Sequence, residues 1–304
     1  MNTETTDIND CVSLWLLSAD TLRAWTRLPA WIVMWSIAFA IFLACKWLTW
    51  QRACRRGPSP SFARSLGYLW AWPGMDAASF LTPRGRSPGV WRLEFPWIPP
   101  GGIGIWSLAT LKTAAGAGLI WLAARDPLTA NPLLTGWLAM IGLVFFLHFG
   151  LFHLLALAWQ RVGINAQPLM RAPLLATSLA DFWSARWNTA FNTLAVEFAF
   201  RPLARRWGAA WATFSVFLIS GLVHETVISL PARGGFGLPT AYFVVQGLGV
   251  LAERSRWARR FGLGRGFRGW LFVVGCVAGP AFWLFHPPFI HNVILPMLRA
   301  ISAT

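Results

Sequence analysis

Charge is what this sequence has least of. Only 12% of its 304 residues are charged, and 11 of them are acidic against 26 basic. A soluble globular domain carries about 25% charged residues, so an ordinary water-facing surface is excluded. Cysteine is also scarce. The four present (Cys11, Cys45, Cys54, Cys276) have no metal or redox spacing, and no disulfide is implied. Five histidines without a cysteine partner give no credible zinc set. A Gly-x-Ser-x-Gly elbow is missing, which argues against a serine nucleophile and a covalent acyl-enzyme. A glycine cluster at Gly262, Gly264 and Gly266 stands alone in a basic stretch and reads as a turn rather than a phosphate loop. Residues 1–10 are acidic through Glu4, Asp7 and Asp10, where a secretory signal needs positive charge before its apolar core. Internal repeats and low-complexity tracts are absent.

Apolar and aromatic residues fill the space that charge leaves. The chain is 56% hydrophobic, with 21 Trp and 23 Phe, and its mean hydropathy is +0.51. A membrane helix needs about 20 mostly apolar residues. Runs at 28–45, 104–124, 133–159, 207–224 (continuing to Leu230 before Pro231), 234–252 and 269–285 read as six spans, and 289–302 as a short seventh. Residues 11–22 and 61–82 are aromatic-rich and read as interfacial. The expected fold is therefore all-α, a polytopic transmembrane bundle of about 6–8 spans. Residues 1–27 form an N-terminal, interfacial segment, and residues 28–304 the membrane domain.

The net charge of +15 sits between the apolar runs, so it reads as orientation in a membrane rather than affinity for nucleic acid. Loops 46–102, 160–206 and 253–268 hold 20 of the 26 Lys and Arg residues, and the opposite side holds five. That bias places the 160–206 loop on the cytoplasmic side. Lys112 lies within a span, close enough to its cytoplasmic end to snorkel.

Polar residues inside a bilayer are expensive and mark function. The richest stretch is 178–225. Ser178 and Asp181 form a capping-box pattern, so a helix starts there. Trp183, Trp187 and Phe191 recur at i, i+4 and i+8 as one apolar stripe. Asn188 and Asn192 share another face, with Arg186 also off the stripe. A basic collar follows at Arg201, Arg205 and Arg206, and then the fourth span with Ser220, His224 and Glu225. His224 lies roughly 20–25 Å beyond the collar at 1.5 Å per residue. A neutral imidazole at that depth suits a general base, with Ser220 one turn earlier expected to fix its tautomer. Glu225 is expected to pair with an arginine or to face the far side. His148 and His153, at i and i+5, are not expected to share a face and read as helix-packing or pathway-lining polar groups, whereas His286 and His291 read as structural.

The stretches Ser-Leu-Ala-Asp-Phe-Trp-Ser-Ala-Arg-Trp-Asn (178–188) and Ser-Gly-Leu-Val-His-Glu (220–225), 36 residues apart between Asn188 and His224, resemble the signature of the membrane-bound O-acyltransferase superfamily, in its wax synthase-like branch. Weaker likenesses run through 68–81, 150–163, 242–253 and 283–298. The resemblance implies a helix bundle enclosing a substrate tunnel, and transfer of an acyl group from acyl-CoA, a co-substrate rather than a cofactor, to a hydroxyl acceptor such as a long-chain alcohol. His224 matches the family's base and Asn188 its partner amide. Arg186, Trp187, Ser220, Glu225 and Asn192 are expected to contact substrate, within a signature region at 178–230. Arg186, Arg201, Arg205 and Arg206 are placed to attract CoA phosphates, although membrane topology alone also accounts for them. A competing reading is a transporter or flippase using the intramembrane His224 and Glu225, which predicts paired broken spans.

Overall fold

A computed structural model describes residues 28–57, 59–82, 103–125 and 131–302. The proposed interfacial segment at 11–22, and Cys11 with it, lies outside these residues. Among the described residues the structure is helical and without strands. The membrane setting explains the choice: a helix satisfies every backbone polar group internally, as a bilayer core demands.

Five helices are long and apolar enough to cross a membrane. They are α1 (Ala30–Arg56), α4 (Ile103–Ala124), α5 (Pro132–Arg161), α7 (Thr189–Ala232) and α10 (Gly266–Leu284). Shorter helices complete the order: α2 (Phe62–Ala71), α3 (Ala77–Leu81), α6 (179–186), α8 (Leu238–Glu253), α9 (Arg256–Arg260) and α11 (287–302). The expected fifth span is α8, a helix of 16 residues, and the short seventh is α11. Side chains such as Trp35, Phe39, Leu111, Trp121, Leu222 and Leu248 are exposed. In water these would be a liability; on a membrane bundle they form the lipid-facing surface.

Four apolar clusters hold the described residues together, the smallest of them Ile105, Ala109 and Leu157 between α4 and α5. One joins α1, α5 and α11 through Met34, Met140, Phe289 and Ile290. A second packs α2 and α3 on α5 through Tyr68, Trp72, Phe80 and Ala156. The third surrounds α6 with α7, α8 and α10 through Leu179, Phe182, Phe217, Phe243 and Val273. It is this third cluster that positions the two motifs.

Two features correct the sequence reading. The run 28–45 predicts a span that ends before Lys46, yet α1 continues past it to Arg56. Lys46 is fully buried, donates from Nζ to the Gly74 carbonyl at 2.7 Å, and lies 3.2 Å from the centroid of the Tyr68 ring. A carbonyl and an aromatic face together hold the amine. The second feature is the length of α7. Its 44 residues bend at Gly208 (φ 81°, ψ 163°), a conformation open to glycine and strained for other residues. The bend falls just after the basic collar and separates the stretch 189–207 from the membrane stretch 209–232. Helix continues through Pro231 to Ala232, two residues beyond the expected stop. The preceding π turn, Glu225–Ser229, ends the regular hydrogen-bond ladder, so the proline enters at the start of a new turn, where it is tolerated.

Candidate active site

The signature region opens with a helix whose first donors are all accounted for. Ser178 Oγ accepts from Asp181 N at 3.0 Å, as its sequence pattern predicts. The Glu253 carboxylate, at the far end of α8, accepts from Leu179 N at 2.6 Å and Ala180 N at 3.2 Å. A negative group there also complements the helix dipole. Burial pushes the Glu253 carboxyl up, and the two backbone N–H groups oppose that rise.

The single amphipathic helix expected over 178–192 does not form. After Leu179–Asp181 the chain makes a π turn, Phe182–Arg186. It then breaks at Trp187 and Asn188, and helix resumes at Thr189. Asn188 has φ 43° and ψ 58°, the left-handed region that asparagine enters more readily than most residues. Asn188 and Asn192 therefore do not stack as i and i+4 on one helix. Asn192 turns back to donate to the Ser184 carbonyl, bracing the break. Arg186 pairs with Asp181 and donates to the Arg171 and Ala172 carbonyls at 3.4 and 3.2 Å, so its guanidinium is committed to the segment that runs alongside. The Asn188 carboxamide, by contrast, makes no hydrogen bond to a described residue, although its backbone N–H reaches Met170 Sδ at 3.2 Å.

The second motif sits on α7 where it crosses α8. Gly221 is buried, and a Cβ there would lie 2.9 Å from Thr240 Cα, so the two backbones touch. His224 Nδ1 lies 2.7 Å from the Ser220 carbonyl oxygen. A carbonyl only accepts, so Nδ1 carries the proton and Nε2 keeps its lone pair. It is the backbone of Ser220 that sets the tautomer; the Ser220 hydroxyl donates to the Val216 carbonyl at 2.9 Å instead. The imidazole rests on Phe243 of α8 with 4.4 Å between ring centroids. Glu225 pairs with no arginine here: its Oε1 accepts from Gly237 N at 2.9 Å and Thr240 N at 3.0 Å.

No hydrogen bond joins Asn188 to His224. An unbroken run of aromatic rings connects them. Trp187 stacks on Phe182 at 5.6 Å, Phe182 meets Trp183 at 5.1 Å, Trp183 meets Phe243 at 5.8 Å, and Phe243 carries His224. Gln246, fully buried on α8, locks this wall. Its Oε1 accepts from Trp183 Nε1 at 3.2 Å and its Nε2 donates to the Cys276 carbonyl at 2.6 Å. The sequence reading passed over Phe243, Gln246 and Glu253. All three lie in the 242–253 stretch of weak family likeness, and Gln246 and Glu253, seven residues apart, share a helical face. That spacing is the signal that exposes them.

Of the remaining histidines, His286 has a fully hydrogen-bonded setting. His286 is fully buried. Its Nδ1 accepts from Phe289 N at 3.2 Å, so Nε2 bears the proton and donates to Ser229 Oγ at 3.2 Å. A histidine wired this way does not activate the serine as a nucleophile. His148 lies in a π-helical stretch, Val144–Leu151, where straight-helix spacing to His153 no longer applies. No group of three metal-ligating side chains occurs among the described residues. A cavity of about 270 Å³ between α1, α3 and α7 is lined by Arg52, Arg56, Asp76 and Glu197 and by neither His224 nor Asn188. Arg201, Arg205 and Arg206 are exposed.

Comparison with known proteins bears on this arrangement. Residues 166–245 match the model of the membrane bound O-acyl transferase family, an interval that contains both motifs and the α7–α8 crossing. The chain is 30% identical over 147 residues to probable long-chain-alcohol O-fatty-acyltransferase 7 of Arabidopsis thaliana, covering 43% of this chain and 42% of that one. It is 30% identical over 148 residues to the long-chain-alcohol O-fatty-acyltransferase of Simmondsia chinensis, covering 45% and 42%. It is 29% identical over 150 residues to probable long-chain-alcohol O-fatty-acyltransferase 6 of Arabidopsis thaliana, covering 44% and 42%. The matched stretches thus span about two fifths of the length of these curated relatives. Five helices are long and apolar enough to cross a membrane, which marks the chain as an integral membrane protein, and its residues 166–245 are similar to the membrane bound O-acyl transferase family, with long-chain-alcohol O-fatty-acyltransferases among the relatives that it matches.

Proposed function

We propose that this chain transfers an acyl group from acyl-CoA to the hydroxyl of a long-chain alcohol or similar lipid, with His224 as general base. The observation that carries this reading is the tautomer: Nδ1 is held on the Ser220 carbonyl, and that leaves a basic Nε2. The acceptor O–H gives its proton to Nε2 as the oxygen attacks the thioester carbonyl. The new C–O bond forms, the C–S bond breaks, and the proton passes from the imidazolium to the departing thiolate to give free CoA. The carboxamide of Asn188 donates to the developing oxyanion. Its left-handed backbone and its lack of a hydrogen bond to any described residue support that role, and a donor of this kind is worth about 10²–10³ in rate. The aromatic wall from Trp187 to Phe243 gives the fatty chain an apolar boundary.

In this reading residues 28–304 act as one transferase domain, with residues 1–27 as an accessory segment and the signature at 178–230. The 160–206 loop faces the cytoplasm, where acyl-CoA arrives. Exposed Arg201, Arg205 and Arg206 are better placed for its phosphates than Arg186, which is already engaged. No observation favours the transporter alternative. The test is to supply purified protein in detergent with labelled acyl-CoA and a series of alcohols. Ester is expected, with both substrates bound before either product leaves. Ping-pong initial-rate patterns would contradict direct transfer, and uptake without ester would contradict the reaction itself.

A further inference from the structure

The first turn of α8 allows a full accounting of its backbone donors. Helix N-terminal N–H groups lack intrahelical partners and need others. Leu238 N donates to the Gly235 carbonyl at 3.2 Å and Ala241 N to the Gly237 carbonyl at 2.8 Å. Pro239 has no N–H. That leaves Thr240 N, and Gly237 at the cap position has no side chain to serve it. Glu225 of α7 fills the role, accepting from both Thr240 N and Gly237 N through one carboxylate oxygen.

This bond lies beside a close backbone approach of the two helices, Gly221 against Thr240. One turn further along each helix, His224 rests on Phe243. The residues of Ser-Gly-Leu-Val-His-Glu thus make a single joint. Ser220 holds Nδ1, Gly221 admits α8, His224 lies on it, and Glu225 fixes its start. We infer that Glu225 is a positioning residue for His224: its carboxylate clamps the N-terminus of α8 and so sets where Phe243 holds the imidazole. Glu225 acts in this account as an acceptor of backbone N–H groups, with no part in proton transfer. The inference rests on the acyl-transfer reading and assigns that same site a residue whose chemistry is mechanical.

The experiment compares Glu225→Gln with Glu225→Ala in full-length protein in detergent. Two readouts are taken: ester formation from acyl-CoA and alcohol, and hydrogen exchange across residues 235–243. Glutamine keeps the accepting oxygen, so Glu225→Gln is expected within about threefold of wild-type kcat, with the 235–243 amides still protected. Alanine removes the acceptor. It is expected to lower kcat by about 10- to 100-fold, the scale of a misplacement of about 1 Å, with both KM values within about twofold and exchange at 235–243 accelerated. Loss of activity in Glu225→Gln with protection intact would overturn the proposal, because the charge or proton of the carboxylate would then matter in itself. Near-wild-type kcat in Glu225→Ala would overturn it too. If the alanine variant fails to fold, the glutamine variant still decides. Wild-type protein that makes no ester defeats the acyl-transfer reading and the inference with it, and that outcome is distinct from either result on Glu225.

Discussion

The two motifs hold their reactive groups in opposite ways. In the signature turn the side chains do the fastening: Ser178, Arg186, Asn192 and the distant Glu253 all bind backbone groups. The backbone itself is irregular, with a π turn and a left-handed residue, and the Asn188 carboxamide is what remains unengaged. On α7 the backbone does the fastening. A carbonyl holds Nδ1 of His224 and a glycine lets the neighbouring helix close in, so Nε2 remains. The lesson is that each motif commits most of its polar groups to its own architecture; in the proposed mechanism the Asn188 carboxamide and His224 Nε2 are the groups kept for chemistry, while Glu225 Oε2 is buried with no hydrogen bond to a described residue. Identifying the residues that belong to a motif therefore does not identify the group that reacts.

The comparison breaks most visibly at Asn188. Asn188→Gly keeps the left-handed backbone and removes the amide, whereas Asn188→Ala removes the amide and also strains the backbone by about 1–2 kcal/mol. Both are expected to lower kcat by about 10²–10³, and only the alanine variant should lose thermal stability in detergent. Wild-type kcat in Asn188→Gly would remove the carboxamide from the mechanism and leave this turn with no free group.

A smaller effect is expected where the two regions are joined. Gln246→Ala strips a partner from Trp183 and from the Cys276 carbonyl at a fully buried position, which should cost about 2–3 kcal/mol. The check is the melting temperature, together with intrinsic tryptophan fluorescence as a report on Trp183. An unchanged melting temperature would show that the wall does not couple the motifs.

The smallest effect sharpens the contrast through pH. Burial raises the Glu253 carboxyl in the folded protein. The sign follows from linkage: its contribution to stability is full below the unfolded carboxyl pKa and is lost as pH rises through the raised folded value. Glu253→Gln keeps an acceptor for the α6 amides and removes that loss. Melting temperature should therefore fall less with rising pH in the variant than in wild type. Equal slopes would mean that Glu253 does not titrate differently on folding.

Much of the bundle was legible because hydrophobic length is a local property. The runs ending near Ala124, Arg161 and Leu284 became helices with nearly those limits, and Ser178 capped the helix it was expected to start. The break at Asn188 was hidden because Trp183, Trp187 and Phe191 repeat with perfect helical spacing, and no periodicity reports a π turn. Lys46 was misplaced for a related reason. A lysine reads as a boundary until the Tyr68 ring and the Gly74 carbonyl, brought in from another helix, give it a buried setting. His224 was visible because a titratable group in an apolar run is conspicuous by itself. The contacts of Glu225 and Glu253 were not, since each caps a helix that lies far from it in sequence or across a turn.

The central claim is that His224 Nε2 takes the acceptor proton. Its most direct test is the rate of ester formation by purified His224→Ala beside wild type, at saturating acyl-CoA and alcohol and with matched folding by size-exclusion profile. Loss of a general base predicts a fall of about 10²–10⁴ in kcat, with acyl-CoA binding retained. A variant that makes ester at a rate close to wild type would contradict the account.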